Sequence, residues 1–156
     1  TPPLDSMARL SDYLALAGLV GLVSCTSAVE PRVPQAVVYY HLHLQDTRHR
    51  ALLSPGGIVR ITQPETAQDR LGNAGLAVVR SVEQAEEFYA FDLACPGEHS
   101  QGAQLEVKGM RLVCPSCRSA FEVLQGTGRP EEGSAQSPLR RYRVVRMDRY
   151  HLLVTS

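Results

Sequence analysis

Phe88-Tyr89-Ala90-Phe91-Asp92-Leu93-Ala94-Cys95-Pro96-Gly97-Glu98-His99 runs an apolar segment into a cysteine, and Cys114-Pro115-Ser116-Cys117 follows after fourteen further residues. Two short knuckles on separate loops can bring four soft ligands, Cys95, His99, Cys114 and Cys117, to one centre. Placing two ligands within each knuckle limits the chain entropy that binding must remove. Three sulfurs and an imidazole suit tetrahedral zinc, and sulfur-rich sets also suit iron–sulfur chemistry. The Cys-x-x-Cys is the specific part of this signal, and the Cys-x-x-x-His gains its weight from the pairing. Two other states fit the same residues. Cys114 and Cys117 can close a small disulfide in an oxidising compartment, with His99 a solvated loop residue, or the cysteines can be buried thiols without a role.

The segments flanking the knuckles read as strands. Val38, Tyr40, Leu42 and Leu44 alternate with Val37, Tyr39, His41 and His43, the period of a half-buried strand. Gly57 to Ile61, Gly75 to Arg80, Glu87 to Leu93, Ala120 to Leu124, Arg141 to Met147 and Tyr150 to Thr155 are further candidates, the last two joined by a tight turn around Asp148. Residues 125–138 read as a polar loop, and beyond residue 26 no segment of useful length has a helical period. Short strands punctuated by Gly, Pro, Asn and Asp predict an all-β sandwich or small barrel.

Composition narrows the function. At 156 residues, with 44% hydrophobic and 21% charged, the chain is one globular domain with a short tail rather than a disordered segment. A formal net charge of zero gives no electrostatic footprint for nucleic acid, and the absence of Trp removes an indole platform for sugars. Four cysteines are too few for a disulfide scaffold and enough for one metal site. Neither a nucleophile–base arrangement nor a phosphate-cradling glycine loop is legible, so the chain does not read as a stand-alone enzyme. Asp92 and Glu98 flank the first knuckle without forming an acid–base pair. His41 and His43 fall on one strand face as polar, solvated positions, and His49 and His151 show no partner pattern.

Read together, Gly75 to Arg80, Phe88 to Pro96, Cys114-Pro115-Ser116-Cys117-Arg118-Ser119 and Phe121 resemble the approach and the two cluster loops of Rieske [2Fe–2S] domains. Gly126, Arg129-Pro130 and Pro138-Leu139-Arg140-Arg141-Tyr142 are similar to that family's Pro-rich loop and return strand. The resemblance covers roughly residues 57–156 and implies stacked antiparallel sheets with a small rubredoxin-like subdomain that carries both loops. It also implies a cluster and a role in electron transfer to an oxygenase or reductase partner. The ligand set departs from the family's. A Rieske centre uses Cys-x-His and Cys-x-x-His, with two thiolates on one iron and two imidazoles on the other. Here Cys95 and Cys114 stand at the thiolate positions, Gly97 at the first histidine position and Cys117 at the second. The expected contents are therefore a [2Fe–2S] cluster with an altered set, a zinc ion, or none in a disulfide-closed remnant that serves as a structural or interaction module.

Residues 1–25 look like an address. Arg9 precedes a run from Leu14 to Val23 made only of Leu, Ala, Gly and Val, with Met7 standing where an initiator would. Ten apolar residues suit a signal-peptide core and fall short of the roughly 20 that span a bilayer; a buried core helix is the alternative. Leu22-Val23-Ser24-Cys25 resembles the lipobox of bacterial lipoproteins, in which the cysteine carries the lipid. The expectation is lipidation at Cys25, a linker over 26–35 and the β domain over 36–156, anchored in the cell envelope and facing the periplasm or the outside. Its partners would then be the membrane and a redox or envelope protein, with no nucleic acid. Cluster-bearing members of the Rieske family usually cross the membrane folded, behind a twin-arginine signal. Arg9 stands alone, which favours zinc or a disulfide over a cluster.

Overall fold

A computed structural model describes residues 29–97 and 102–156. Cys25 and the rest of the apolar N-terminal segment, as well as Glu98 and His99, lie outside the described residues. All pairings are antiparallel, and the only described helix is a single 3-10 segment at Thr47–Leu53. The all-β class expected from the sequence, with two antiparallel sheets, is the class observed.

The larger sheet holds seven strands: β1 (Val38–His43), β2 (Ile58–Ile61), β3 (Arg70–Leu71), β4 (Leu76–Arg80), β5 (Phe88–Asp92), β10 (Arg141–Arg146) and β11 (His151–Thr155), in the order β2-β4-β5-β10-β11-β1-β3. In β1 the alternation of the sequence becomes an alternation of environment. Val38, Tyr40 and Leu42 are buried, while Tyr39, His41 and His43 are exposed. β4 and β5 bury both of their faces. Leu76, Val78, Phe88 and Ala90 join one apolar core with β1, β10 and β11. Ala77, Val79, Tyr89 and Phe91 join a second core with Leu105, Leu112, Phe121, Val123 and Leu139. Because successive side chains of a strand point to opposite faces, one pair of strands can serve two cores.

The second core is roofed by a four-stranded sheet, β6 (Glu106–Lys108), β7 (Arg111–Val113), β8 (Ala120–Phe121) and β9 (Pro130–Glu132), in sequence order. β6 and β7 form a hairpin through Gly109-Met110, and Gly109 takes the left-handed conformation (φ 63°) such a turn needs. These strands, like β3, are two or three residues long, too short to show a period. β9 and the buried Ala135 and Leu139 lie within or next to the stretch read as a polar loop, which is therefore partly structural.

Residues 30–34 are docked on the body rather than strung as a free linker. Val33 is buried, and Arg140 donates to the carbonyls of Val33 (2.8 Å) and Pro31 (3.3 Å). Ser137 accepts from Arg32 N–H and donates to Glu30 O.

Candidate metal centre

The first knuckle leaves the end of β5. An isolated bridge between Ala94 and Gln104, with Cys95 N–H donating to Ala103 O and Leu105 N–H to Leu93 O, closes the loop at its base. The second leaves β7 and turns at once. Arg118 N–H donates to Cys114 O (2.9 Å) and Cys114 N–H to Ser119 O (2.9 Å), which holds residues 114–118 in a tight loop. Arg118 sits at φ 58°, the only non-glycine in the left-handed region among the described residues. Such a conformation is uncommon for a residue with a side chain, and here the closure of the cysteine loop imposes it.

Between them the two loops place the sulfurs of Cys95, Cys114 and Cys117 all within 4.8 Å of one another. Cys95 Sγ and Cys117 Sγ are 3.6 Å apart. Cys95 and Cys114 are buried, and Cys117 is half-buried at the open side. Burial pushes the Cys95 thiol up to about 12, opposed by the Gly97 N–H, which donates to its sulfur, and reinforced by Cys114 and Cys117. Burial also raises Cys117, but there the Ser119 hydroxyl and backbone N–H, with Cys114 and Cys95, outweigh it and leave the group below its ordinary value. Ser119 is itself fully buried, 3.2 Å from Cys117 Sγ, and accepts from Ala135 N–H. Three sulfurs this crowded are suited to a cation, which deprotonates every thiol it binds.

Of the four ligands expected from sequence, three are brought together and His99 lies outside the described residues. The other histidines do not join the sulfurs. His41 meets the Tyr39 hydroxyl, His49 meets Tyr40 and the His43 carbonyl, and His43 and His151 pack edge to face as cross-strand rings. His151, for which the sequence showed no partner, is also hydrogen-bonded to Asp148.

Two further residues matter that the sequence reading did not assign. Ser119 contacts a sulfur from two positions beyond the knuckle. Gly97, which stands at the family's first histidine position, also leaves room for the sulfurs. A Cβ at 97 would stand 3.1 Å from Cys117 Sγ and 3.4 Å from Cys95 Sγ. A side chain at 97 would therefore require the Cys117 sulfur to give way by a few tenths of an ångström. With no donor at Gly97 and a thiol at Cys117, the residues present do not fit the ordinary Rieske ligand set.

The three sulfurs could hold a metal ion or part of an iron–sulfur centre. With Zn–S near 2.3 Å, the sulfurs on one ion stand about 3.8 Å apart, close to the 3.6 Å between Cys95 and Cys117. A two-iron cluster spreads its protein ligands over two metals and separates those on opposite irons further. Among the described residues no helix is long and apolar enough to cross a membrane.

Compared with known proteins, no family model matches the chain, and no curated protein matches it. Among solved structures it is similar to a chain from a complex of reduced oxygenase and oxidized ferredoxin in carbazole 1,9a-dioxygenase. The identity is 23% and the TM-score 0.45, over 76% of this chain and 93% of that one.

Proposed function

We propose that the protein is a lipid-anchored envelope domain that holds one metal ion on Cys95, Cys114 and Cys117, with the fourth position filled from the first knuckle, where His99 is the candidate. The observation that carries this is the convergence of three sulfurs within 4.8 Å around a glycine that leaves them room. Bound iron would give a one-electron centre able to serve a redox partner. Bound zinc, which has no redox chemistry, would give a structural centre that locks the two loops for contact with an envelope protein.

The native protein decides this by metal analysis, sulfide assay and visible absorption. The expected result is one metal ion per chain without acid-labile sulfide, and a lower melting temperature after chelation, because ligation free energy adds to folding free energy. Two irons with two labile sulfides per chain would establish a cluster instead, and chelation without effect would leave a metal-free module.

The anchor is tested separately. The signature Leu22-Val23-Ser24-Cys25 behind a short apolar run supports lipidation at Cys25. Multiple acyl chains on one cysteine give stable attachment. Cys25→Ser is expected to move the protein from the membrane to the soluble fraction and to remove the lipid mass. Unchanged fractionation and mass would discard the anchor and leave the metal reading standing.

A further inference from the structure

We infer that Asp92 is a positioning residue for the metal centre, its carboxylate setting the point at which β5 stops and the Cys95 knuckle begins; this rests on the metal reading above. Asp92 is completely buried, an unusual place for a carboxylate. It is held there by five donors. Oδ2 accepts from Asn73 N–H (2.7 Å), Asn73 Nδ2 (3.0 Å) and the Tyr142 hydroxyl (2.7 Å), and Oδ1 from Ala74 N–H (3.1 Å) and Ala94 N–H (2.9 Å). The chain is fitted around it. Gly72 passes so close, at φ 74°, that a Cβ there would lie 2.6 Å from Oδ2.

The two oxygens do different jobs. Oδ2 ties β5 to β10 through Tyr142 and to the turn after β3 through Asn73. Oδ1 reaches the amide two residues along its own chain, the contact by which an aspartate turns the backbone out of a strand. That amide is Ala94 N–H, immediately before the ligand Cys95. The opposite side of Ala94 is fixed by its bridge to Gln104, whose side chain donates to Ala74 O (2.6 Å). Ala74 is thus held by Asp92 and by Gln104, and Ala94 is clamped between the carboxylate and the returning strand. Cys95 leaves this clamp with its direction set before any ion arrives. All five contacts are donors, so only a carboxylate satisfies them. An asparagine would turn an NH2 group towards an N–H or O–H and leave buried groups unpaired.

The test uses Co2+ as the probe, followed by its thiolate charge-transfer absorption, on the full chain and two variants. Asp92→Asn is expected to weaken Co2+ binding by roughly tenfold to a hundredfold, the range seen when a group that orients a metal ligand is lost, and to change the shape or intensity of the absorption. Tyr142→Phe removes a donor from Oδ2 and leaves the link to Ala94. It is expected to lower the melting temperature of the metal-free protein while keeping Co2+ affinity within about twofold and the spectrum unchanged. An Asp92→Asn protein with wild-type affinity and spectrum would overturn the inference, as would a Tyr142→Phe protein that loses affinity to the same extent, since the effect would then be one of stability alone. If Asp92→Asn does not fold, Ala94→Pro deletes the single N–H that joins carboxylate to knuckle and is read in the same way. A wild-type protein that takes up no Co2+ would sink the metal reading itself, a result distinct from either of the others.

Discussion

The two faces of β4 and β5 border cores of comparable depth built on different terms. On the face of Leu76, Val78, Phe88 and Ala90 the partners come from β1, β10 and β11, strands of five or six residues with alternating side chains and long hydrogen-bonded ladders. On the face of Ala77, Val79, Tyr89 and Phe91 the partners come from strands of two or three residues and from loops, and the core includes Cys95 and Cys114. The first core is closed by regular structure. The second depends on turns, glycines and sulfur contacts at its rim, so an ion there would add most where the ladder is shortest.

The comparison is broken most severely at a residue of the strand both cores share. Phe91 is fully buried in the second core, and the chain at Gly128 passes so close that a Cβ there would lie 2.9 Å from its ring. Phe91→Ala is expected to cost about 3–5 kcal/mol, the range for truncating a buried aromatic, which is a large part of the 5–15 kcal/mol typical of a domain. Because β5 pairs with both β4 and β10, loss should register in one cooperative urea transition. Two separated transitions would show instead that the small sheet unfolds by itself.

A narrower test leaves the first core intact and perturbs the second only at its sulfurs. Gly97→Ala places a methyl against Cys117 and Cys95, so that one sulfur must move by a few tenths of an ångström. Metal affinity is expected to fall about tenfold, equivalent to about 1.4 kcal/mol, with little change in the melting temperature of the metal-free protein. Unchanged affinity would mean that Cys117 does not share an ion with Cys95.

The same contrast explains what the sequence shows and what it hides. β1, β2, β4, β5, β10 and β11 are legible because their side chains alternate or run apolar for long enough to show a period. β3, β6, β7 and β9 are not, because two or three residues contain no period and are held by pairing partners far away in sequence. Within the site, Cys95, Cys114 and Cys117 are marked by residue type and spacing. Ser119 and the steric role of Gly97 depend on how two loops meet, and Asp92 depends on five donors drawn from three separate segments. Residues 30–34 look like a linker because their prolines break any pattern, yet Arg140 and Ser137 bind their backbone at sites no local reading could reveal.

The smallest expected effect lies far from the sulfurs, at the turn between β10 and β11, where regular structure ends in a polar cap. Asp148 accepts from the His151 ring and from the backbone N–H of Tyr150 and His151, and these contacts hold its carboxyl below the usual carboxylate range. The group is exposed, so solvent screens much of the interaction. Its folded-state pKa lies below the unfolded value of about 3.9. The stability it supplies is therefore present at neutral pH and is lost as pH falls through that lower folded-state value. Asp148→Asn removes the charge at every pH. Urea unfolding of wild type and variant should accordingly show a small gap above the unfolded-state carboxyl value that closes as pH falls well below it. A gap that persists undiminished well below that value would show that the turn is held by the shape of the side chain and not by its charge.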